Sequence, residues 1–279
     1  MPIRLEPERE AVAVLEGEIA EAFVRTSGEL SAGVILLCDH AENALPEDYG
    51  TLGLAASEFE RHIAYDIGAR EVTERLAAGL GAPAVMTRFS RLLIDCNRGD
   101  DDPTLIMRLS DGAIVPGNRV LTTAERDKRI ARYYTPYHTA IAALIDAAAT
   151  QGIAPVLLSV HSFTPSWRGV PRPWHGAVLW DRDPRLAIPL IAELRADPSL
   201  VIGDNEPYDG ALRGDCLWRH GTSRGLAHAI VEIRQDLIAD EAGQAAWSER
   251  LAAAMRAILA ARGPDADLKT TKFFGSRAD

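Results

Sequence analysis

Cysteine is scarce and scattered. Cys38, Cys96 and Cys216 are odd in number and far apart, so they suggest no disulfide framework. Long apolar runs are missing too, and no stretch reaches the length of a bilayer span. The opening segment, Met1-Pro-Ile-Arg-Leu-Glu-Pro-Glu-Arg-Glu10, lacks the apolar core of a secretory signal. The cytoplasm is therefore the expected compartment. Positive charge is not in excess either: a formal charge of −10 argues against nucleic acid or an anionic membrane as partner. It leaves room for a small anionic substrate, which responds to local charge. No glycine-rich phosphate loop stands between a strand and a helix, so nucleotide chemistry is unsupported. The pattern Gly-x-Ser-x-Gly is absent as well, which argues against a nucleophile-elbow hydrolase.

What is present is an ordinary globular composition, 47% apolar and 25% charged over 279 residues. There is no internal repeat or linker, and the chain reads as a single domain, 1–279. Short apolar runs bounded by turn residues mark buried strands at 33–37, 84–87, 153–161, 176–180 and 227–233. Helices are expected over 57–80, over 122–150 with a kink or break at Pro136, around 189–194, and over 247–261. Thr122 and Glu125 form a capping box for the second of these. A helical stripe of Val12, Leu15, Ile19 and Phe23 suggests a peripheral helix within residues 1–30, and the tail 264–279 reads as mobile. The alternation of strands and helices implies a three-layer α/β/α fold with a mostly parallel or mixed central sheet.

Two of the strands end in histidine: Val34-Ile-Leu-Leu-Cys-Asp-His40 and Val156-Leu-Leu-Ser-Val-His161. Ligand sites in open α/β sheets lie beyond the carboxyl ends of strands, and imidazole is a common metal ligand. Zinc needs at least a third protein ligand. His62 and Asp66, four residues apart on the expected helix, are candidates, although a surface His–Asp pair explains them equally well. Asn97 and Arg98 place an amide beside a guanidinium suited to a carboxylate, with Arg88 and Arg91 upstream; a loop salt bridge to Asp100, Asp101 or Asp102 is the plainer reading. Glu232 lies inside an apolar strand, either as a general base or paired with Arg234. His138 faces either the core or the site, and Asn205–Asp209 reads as a substrate-side loop. Trp167, Trp174 and Trp180 are read as aromatic packing.

Seven segments together resemble the N-formylglutamate amidohydrolase family: Cys38-Asp-His-Ala-Glu-Asn-Ala-Leu-Pro46, His62-Ile-Ala-Tyr-Asp-Ile-Gly-Ala69, Ser90-Arg-Leu-Leu-Ile-Asp-Cys-Asn-Arg98, Tyr137-His138, Ser159-Val-His-Ser-Phe-Thr-Pro165, Asn205-Glu-Pro-Tyr208 and Val231-Glu-Ile-Arg-Gln-Asp-Leu237. The resemblance implies a fold like that of zinc exopeptidases and phosphorylase/hydrolase enzymes. It implies hydrolysis of the amide of N-formyl-L-glutamate to formate and glutamate, a step associated with histidine degradation. By that likeness His40, Asp66 and His161 hold one Zn²⁺ or another divalent metal, and Glu232 is the general base. Asn97, Arg98, Arg91, Asn43 and His138 are assigned to the substrate, a small anionic amino-acid derivative. One departure stands out: the His-x-x-Glu ligand pair of related zinc enzymes reads His40-Ala-Glu-Asn43 here, so Glu42 rivals Asp66 as the acid ligand and His62 is a further candidate. An amidohydrolase for another N-acyl amino acid or small peptide-like amide, and a non-catalytic carboxylate-binding relative, are the alternatives. No feature sets the oligomeric state.

Overall fold

The computed structural model describes residues 14–15, 17–261 and 267–279. Its centre is an eight-stranded sheet. The strands are β1 (Glu18–Ile19), β2 (Phe23–Arg25), β3 (Val34–Cys38), β4 (Ala84–Thr87), β5 (Val156–Phe163), β6 (Gly176–Leu179), β7 (Ile202–Asp204) and β8 (His228–Arg234). Their spatial order is β7-β6-β8-β5-β3-β4-β2-β1. The middle four, β8-β5-β3-β4, run parallel, while β6 is antiparallel to β8 and β2 is antiparallel to β4. The sheet is thus mixed, with a parallel heart whose strands are buried on both faces and so read as continuous apolar runs.

Strand alternation sorts the core into two layers. Leu36, Leu158, Val160 and Val231 pack under α1 (Ala69–Leu80), α4 (Pro184–Arg195) and α6 (Glu241–Ala260). Ile35, Leu37, Leu157 and Ile230 pack under α3 (Thr135–Thr150) and α5 (Cys216–His220). The second face carries Ser159, His161 and Glu232, because they keep step with Leu157 and Ile230. Among the described residues no helix is long and apolar enough to cross a membrane.

Several local expectations are corrected. The described residues between 14 and 29 contain four short strands rather than a helix: Val14–Leu15 pairs with Gly28–Glu29, and β1 and β2 extend the sheet beyond β4. An open strand edge offers unpaired backbone groups, and Phe23, Val24 and Arg25 satisfy it opposite Thr87, Met86 and Val85. Val12 lies outside the described residues. The helix expected from Ser57 begins only at Ala69, after a 3₁₀ turn at Ala56–Glu60 and an irregular stretch. Gly68 enforces the break: its φ is +79°, and a Cβ there would stand 2.2 Å from the Ile238 carbonyl oxygen. His62 and Asp66 therefore share no helical face.

The capping box holds, with the Glu125 amide donating to Thr122 Oγ1 at 3.1 Å. The helix it opens, α2 (Thr123–Arg129), passes through a π turn at Ile130–Tyr134 into α3, whose first turn contains Pro136. The expected break at Pro136 does not occur: the helix runs on, and the π turn just before the proline, where the Thr135 amide reaches back to the Ile130 carbonyl, takes up the missing amide. The tail is docked from residue 267: Leu268 and Ser276 are buried, and the Arg277 guanidinium bonds Asp181 at 2.9 Å and Asp209 at 2.7 Å. Residues 264–266 lie outside the described residues.

Candidate active site

Three adjacent parallel strands, β8, β5 and β3, deliver their ends to one place. Glu232 on β8 is paired in register with His161 on β5. His40 follows β3 directly, in a loop held by Thr87, whose hydroxyl accepts from the Ala41 amide and donates to the Asp39 carbonyl, both at 3.1 Å. The irregular stretch before α1 is tied to the same place, since the Asp66 amide donates to the His40 carbonyl at 2.9 Å. Sheet register and two short loops thus bring His40, Asp66, His161 and Glu232 together.

Both imidazoles turn Nδ1 toward one oxygen, Asp66 Oδ2, at 3.3 Å from His40 and 2.8 Å from His161. Each Nε2 is engaged by another buried carboxylate. His40 Nε2 lies 2.7 Å from Asp95 Oδ1, and His161 Nε2 lies 3.0 Å from Asp39 Oδ2. Asp39 is itself fixed by the hydroxyls of Tyr137 at 2.9 Å and Ser159 at 2.8 Å. Arg91 spends its fork on Asp95, at 3.1 and 2.7 Å, and reaches Asp66 at 3.5 Å. Three buried carboxylates, Asp39, Asp66 and Asp95, therefore surround two imidazoles and one guanidinium, and the buried Glu232 stands beside them.

The titration behaviour follows from this crowding. Burial works against the ionised forms of Asp66 and Asp95, but His40 and His161 around the first, and Arg91 and His40 around the second, hold both well below the usual carboxylate range. Burial also disfavours a charged His161, yet Asp39 and Asp66 outweigh it and push the ring well above an ordinary histidine. Glu232 differs: burial dominates and raises it to about 7, and its Oε2 is buried without a hydrogen-bond partner.

His40, Asp66, His161 and Glu232 border a cleft of about 470 Å³, open to solvent, whose walls also include His62, Arg91, Asn97, Arg98, Thr164, Tyr208 and Asp215. Arg98 donates to Thr104 Oγ1 at 3.2 Å and to the Asn97 carbonyl at 2.8 Å, and no carboxylate pairs with it among the described residues. Asn97 accepts from the Cys216 amide at 3.2 Å. The expected loop salt bridge to Asp100–Asp102 does not form at Arg98. Tyr208 places the loop after Asn205 at the cleft wall.

Other assigned residues lie elsewhere. Asn43 does not border the cleft; its amide donates to the Phe59 carbonyl at 2.9 Å and braces the 3₁₀ turn. His138 is a buried residue of α3, with Nδ1 at 3.0 Å from His220 Nε2, and forms with His220 and Cys216 a second tight His/Cys group away from the cleft. Glu42 is paired with Arg70. His62 borders the cleft but faces Asp111 at 3.6 Å, and burial lowers its pKa. Arg91 borders the cleft as an ion-paired brace. Sequence reasoning passed over Asp39, Asp95 and Asp215; Asp39 directly precedes His40 and Asp95 stands two residues before Asn97, which was the available signal. Asp215 caps α5 through the Trp218 amide at 2.6 Å, and burial raises it to about 7.

The sequence profile of a family described as N-formylglutamate amidohydrolase matches residues 32–239. An N-formylglutamate deformylase of Pseudomonas aeruginosa PAO1 is 26% identical over 205 residues, covering 66% of this chain and 74% of that protein. The crystal structure of a gene product from Agrobacterium tumefaciens superimposes with a TM-score of 0.80 at 36% identity, over 86% of this chain and 95% of that one. The N-formylglutamate amidohydrolase of Ralstonia eutropha JMP134 shares the fold, with a TM-score of 0.62 at 23% identity over 86% of this chain and 97% of that one.

Proposed function

Since the chain belongs to the N-formylglutamate amidohydrolase family, we propose that it hydrolyses N-formyl-L-glutamate to formate and L-glutamate with the help of a divalent cation, zinc in the first instance. The observation that carries the reading is the convergence of both Nδ1 atoms on Asp66 Oδ2 while separate carboxylates hold both Nε2 atoms. Carboxylates behind histidine ligands are the usual way a metal site fixes the imidazoles. Two nitrogens and one oxygen, leaving an open position toward a cleft, suit a catalytic zinc. The excess of buried carboxylate over buried cation favours a dication for the same reason that an unpaired buried charge is costly. His40, Asp66 and His161 would hold it. When bound, it would polarise the formyl carbonyl and acidify the attacking water.

The remaining work falls to the chain's own side chains. Glu232, free at Oε2 and beside His161, takes a proton from the attacking water and returns it to the departing amine. Arg98 and Asn97 hold the α-carboxylate so that the amide lies against the histidines. Asp39 and Asp95 keep the imidazoles oriented. The direct test is hydrolysis of N-formyl-, N-acetyl- and N-succinyl-glutamate with N-formylaspartate by the purified protein. The expected result is a clear preference for N-formylglutamate; turnover of the larger acyl groups alone would replace it with another N-acyl amino acid.

Arg98→Lys is expected to raise KM strongly and lower kcat less, because lysine keeps the charge but loses the planar fork, and uniformly lost binding appears in KM. An unchanged KM would make Arg98 a loop brace. Asp66→Asn is expected to weaken zinc affinity more than Glu42→Gln, since Glu42 is committed to Arg70. Equilibrium zinc titration of both variants decides it, and the reverse order would move the acid ligand into the first loop.

A further inference from the structure

A second guanidinium without a carboxylate partner among the described residues stands against the wall of the same cleft. Arg172 lies at the base of the hairpin Ser166–Pro171 and binds the cleft wall through one nitrogen only. Its Nη1 donates to Thr164 Oγ1 at 3.0 Å, to the Thr164 carbonyl at 3.4 Å and to the Tyr208 hydroxyl at 3.1 Å. Its Nε and Nη2 have no hydrogen-bond partner, and no carboxylate pairs with it, among the described residues. Three aromatic rings surround the guanidinium carbon: Tyr208 at 5.1 Å, Trp167 at 5.6 Å and Phe163 at 5.7 Å from the ring centroids. Phe163, Thr164 and Tyr208 are all part of the cleft wall.

The backbone at this position is held from both sides. The Arg172 amide donates to the Pro165 carbonyl at 2.8 Å, and its carbonyl accepts from Arg234 Nη1 at 3.4 Å. Arg234 is in turn fixed by Asp236 at 2.8 and 3.2 Å. Aromatic rings around a guanidinium hold its plane and keep water from its faces without consuming its N–H donors. What remains is the Nε–Nη2 edge, which matches a carboxylate in the two-bond, fork-to-fork arrangement. A cation left unpaired in a chain of net charge −10, beside a cleft that already has Arg98, points to a ligand with two negative groups.

We propose that Arg172 binds the side-chain carboxylate of the substrate, with Tyr208 and Thr164 positioning it, while Asn97 and Arg98 bind the α-carboxylate. The site would then select N-acyl derivatives of acidic amino acids over neutral ones. This rests on the reading of the cleft as an N-acyl amino-acid hydrolase site. The arrangement differs from a purely structural stack in one respect: it makes Arg172 matter for one substrate and not for its neutral isostere.

The test compares N-formyl-L-glutamate with N-formyl-L-glutamine, which keeps the shape and the α-carboxylate but loses the second charge. Wild-type enzyme is expected to prefer the glutamate compound. Arg172→Met should lose about 10–100-fold in kcat/KM on it, mainly through KM, the range for a charged hydrogen bond. On the glutamine compound the loss should stay within about 3-fold, whereas Arg98→Lys should cost both substrates alike. Equal losses on the two substrates in Arg172→Met would overturn the proposal, as would an unaltered preference. Arg172→Gln, which keeps a polar side chain but loses the charge and the fork, serves if the methionine variant does not fold. If wild-type protein hydrolyses neither compound, the functional reading fails on its own. Calorimetric binding of glutarate to wild type and to Arg172→Gln then judges the carboxylate site: weaker binding in the variant supports it, and equal binding overturns it.

Discussion

Glu232→Gln is expected to lower kcat by about 10²–10⁴-fold, the range for loss of general acid–base catalysis, with bound zinc and KM little changed. The isosteric amide fills the same space on β8 but accepts no proton. Burial raises the Glu232 carboxyl to about 7, so the base becomes competent only as pH rises through that value. The kcat/KM profile should therefore carry an acidic limb near pH 7, and the variant should lack it.

The sign for stability runs the other way. A carboxyl whose folded pKa lies above its unfolded value costs stability as pH rises from the unfolded value through the folded one. Glu232→Gln should thus be at least as stable as wild type above pH 7. A structural Glu232–Arg234 pair would give lower melting temperature and an intact limb, but Arg234 is bound to Asp236 instead. Melting temperature, zinc content and pH–rate profile on this variant separate the two cases. Near-normal kcat would refute the catalytic role.

Removal of either histidine comes next in size. His40→Ala and His161→Ala should each lower zinc affinity by more than the roughly 10–100-fold typical of losing an outer hydrogen-bond partner, and abolish turnover. Asp95→Asn and Asp39→Asn supply that outer comparison, because they keep the imidazoles and remove the carboxylates behind them. Equilibrium dialysis of zinc, with circular dichroism to confirm folding, measures the order. An alanine variant that keeps a full equivalent of zinc would sink the site assignment.

The parts of this account legible in the sequence are those governed by short-range rules. Buried parallel strands are continuous apolar runs, so the strands leading to His40, His161 and Glu232 stood out. The Thr122–Glu125 cap was legible for the same reason. Asp66 was singled out on a helical face it does not occupy; Gly68 ends that helix because of a carbonyl contributed from Ile238, far along the chain. Long-range pairing hid the rest. Nothing local shows that Asn43 is spent on Phe59 or that His138 faces His220, whereas the Arg91–Asp95 pair, four residues apart, was within local reach and was passed over. The register that sets Glu232 beside His161, and the aromatic setting of Arg172, arise only when distant segments meet. The N-terminal stripe misled because an open sheet edge recruited residues whose spacing also fits a helix.

The central claim, a divalent cation held by His40, Asp66 and His161 and used in amide hydrolysis, is tested most directly by metal content read against activity. Freshly purified protein is analysed for metals, stripped with a chelator, and titrated with zinc while hydrolysis of N-formyl-L-glutamate is followed. The account predicts about one equivalent of divalent metal per chain as the stoichiometry of a three-ligand site, loss of turnover on stripping, and recovery in proportion to the zinc restored. Full turnover by the stripped, metal-free protein would contradict it.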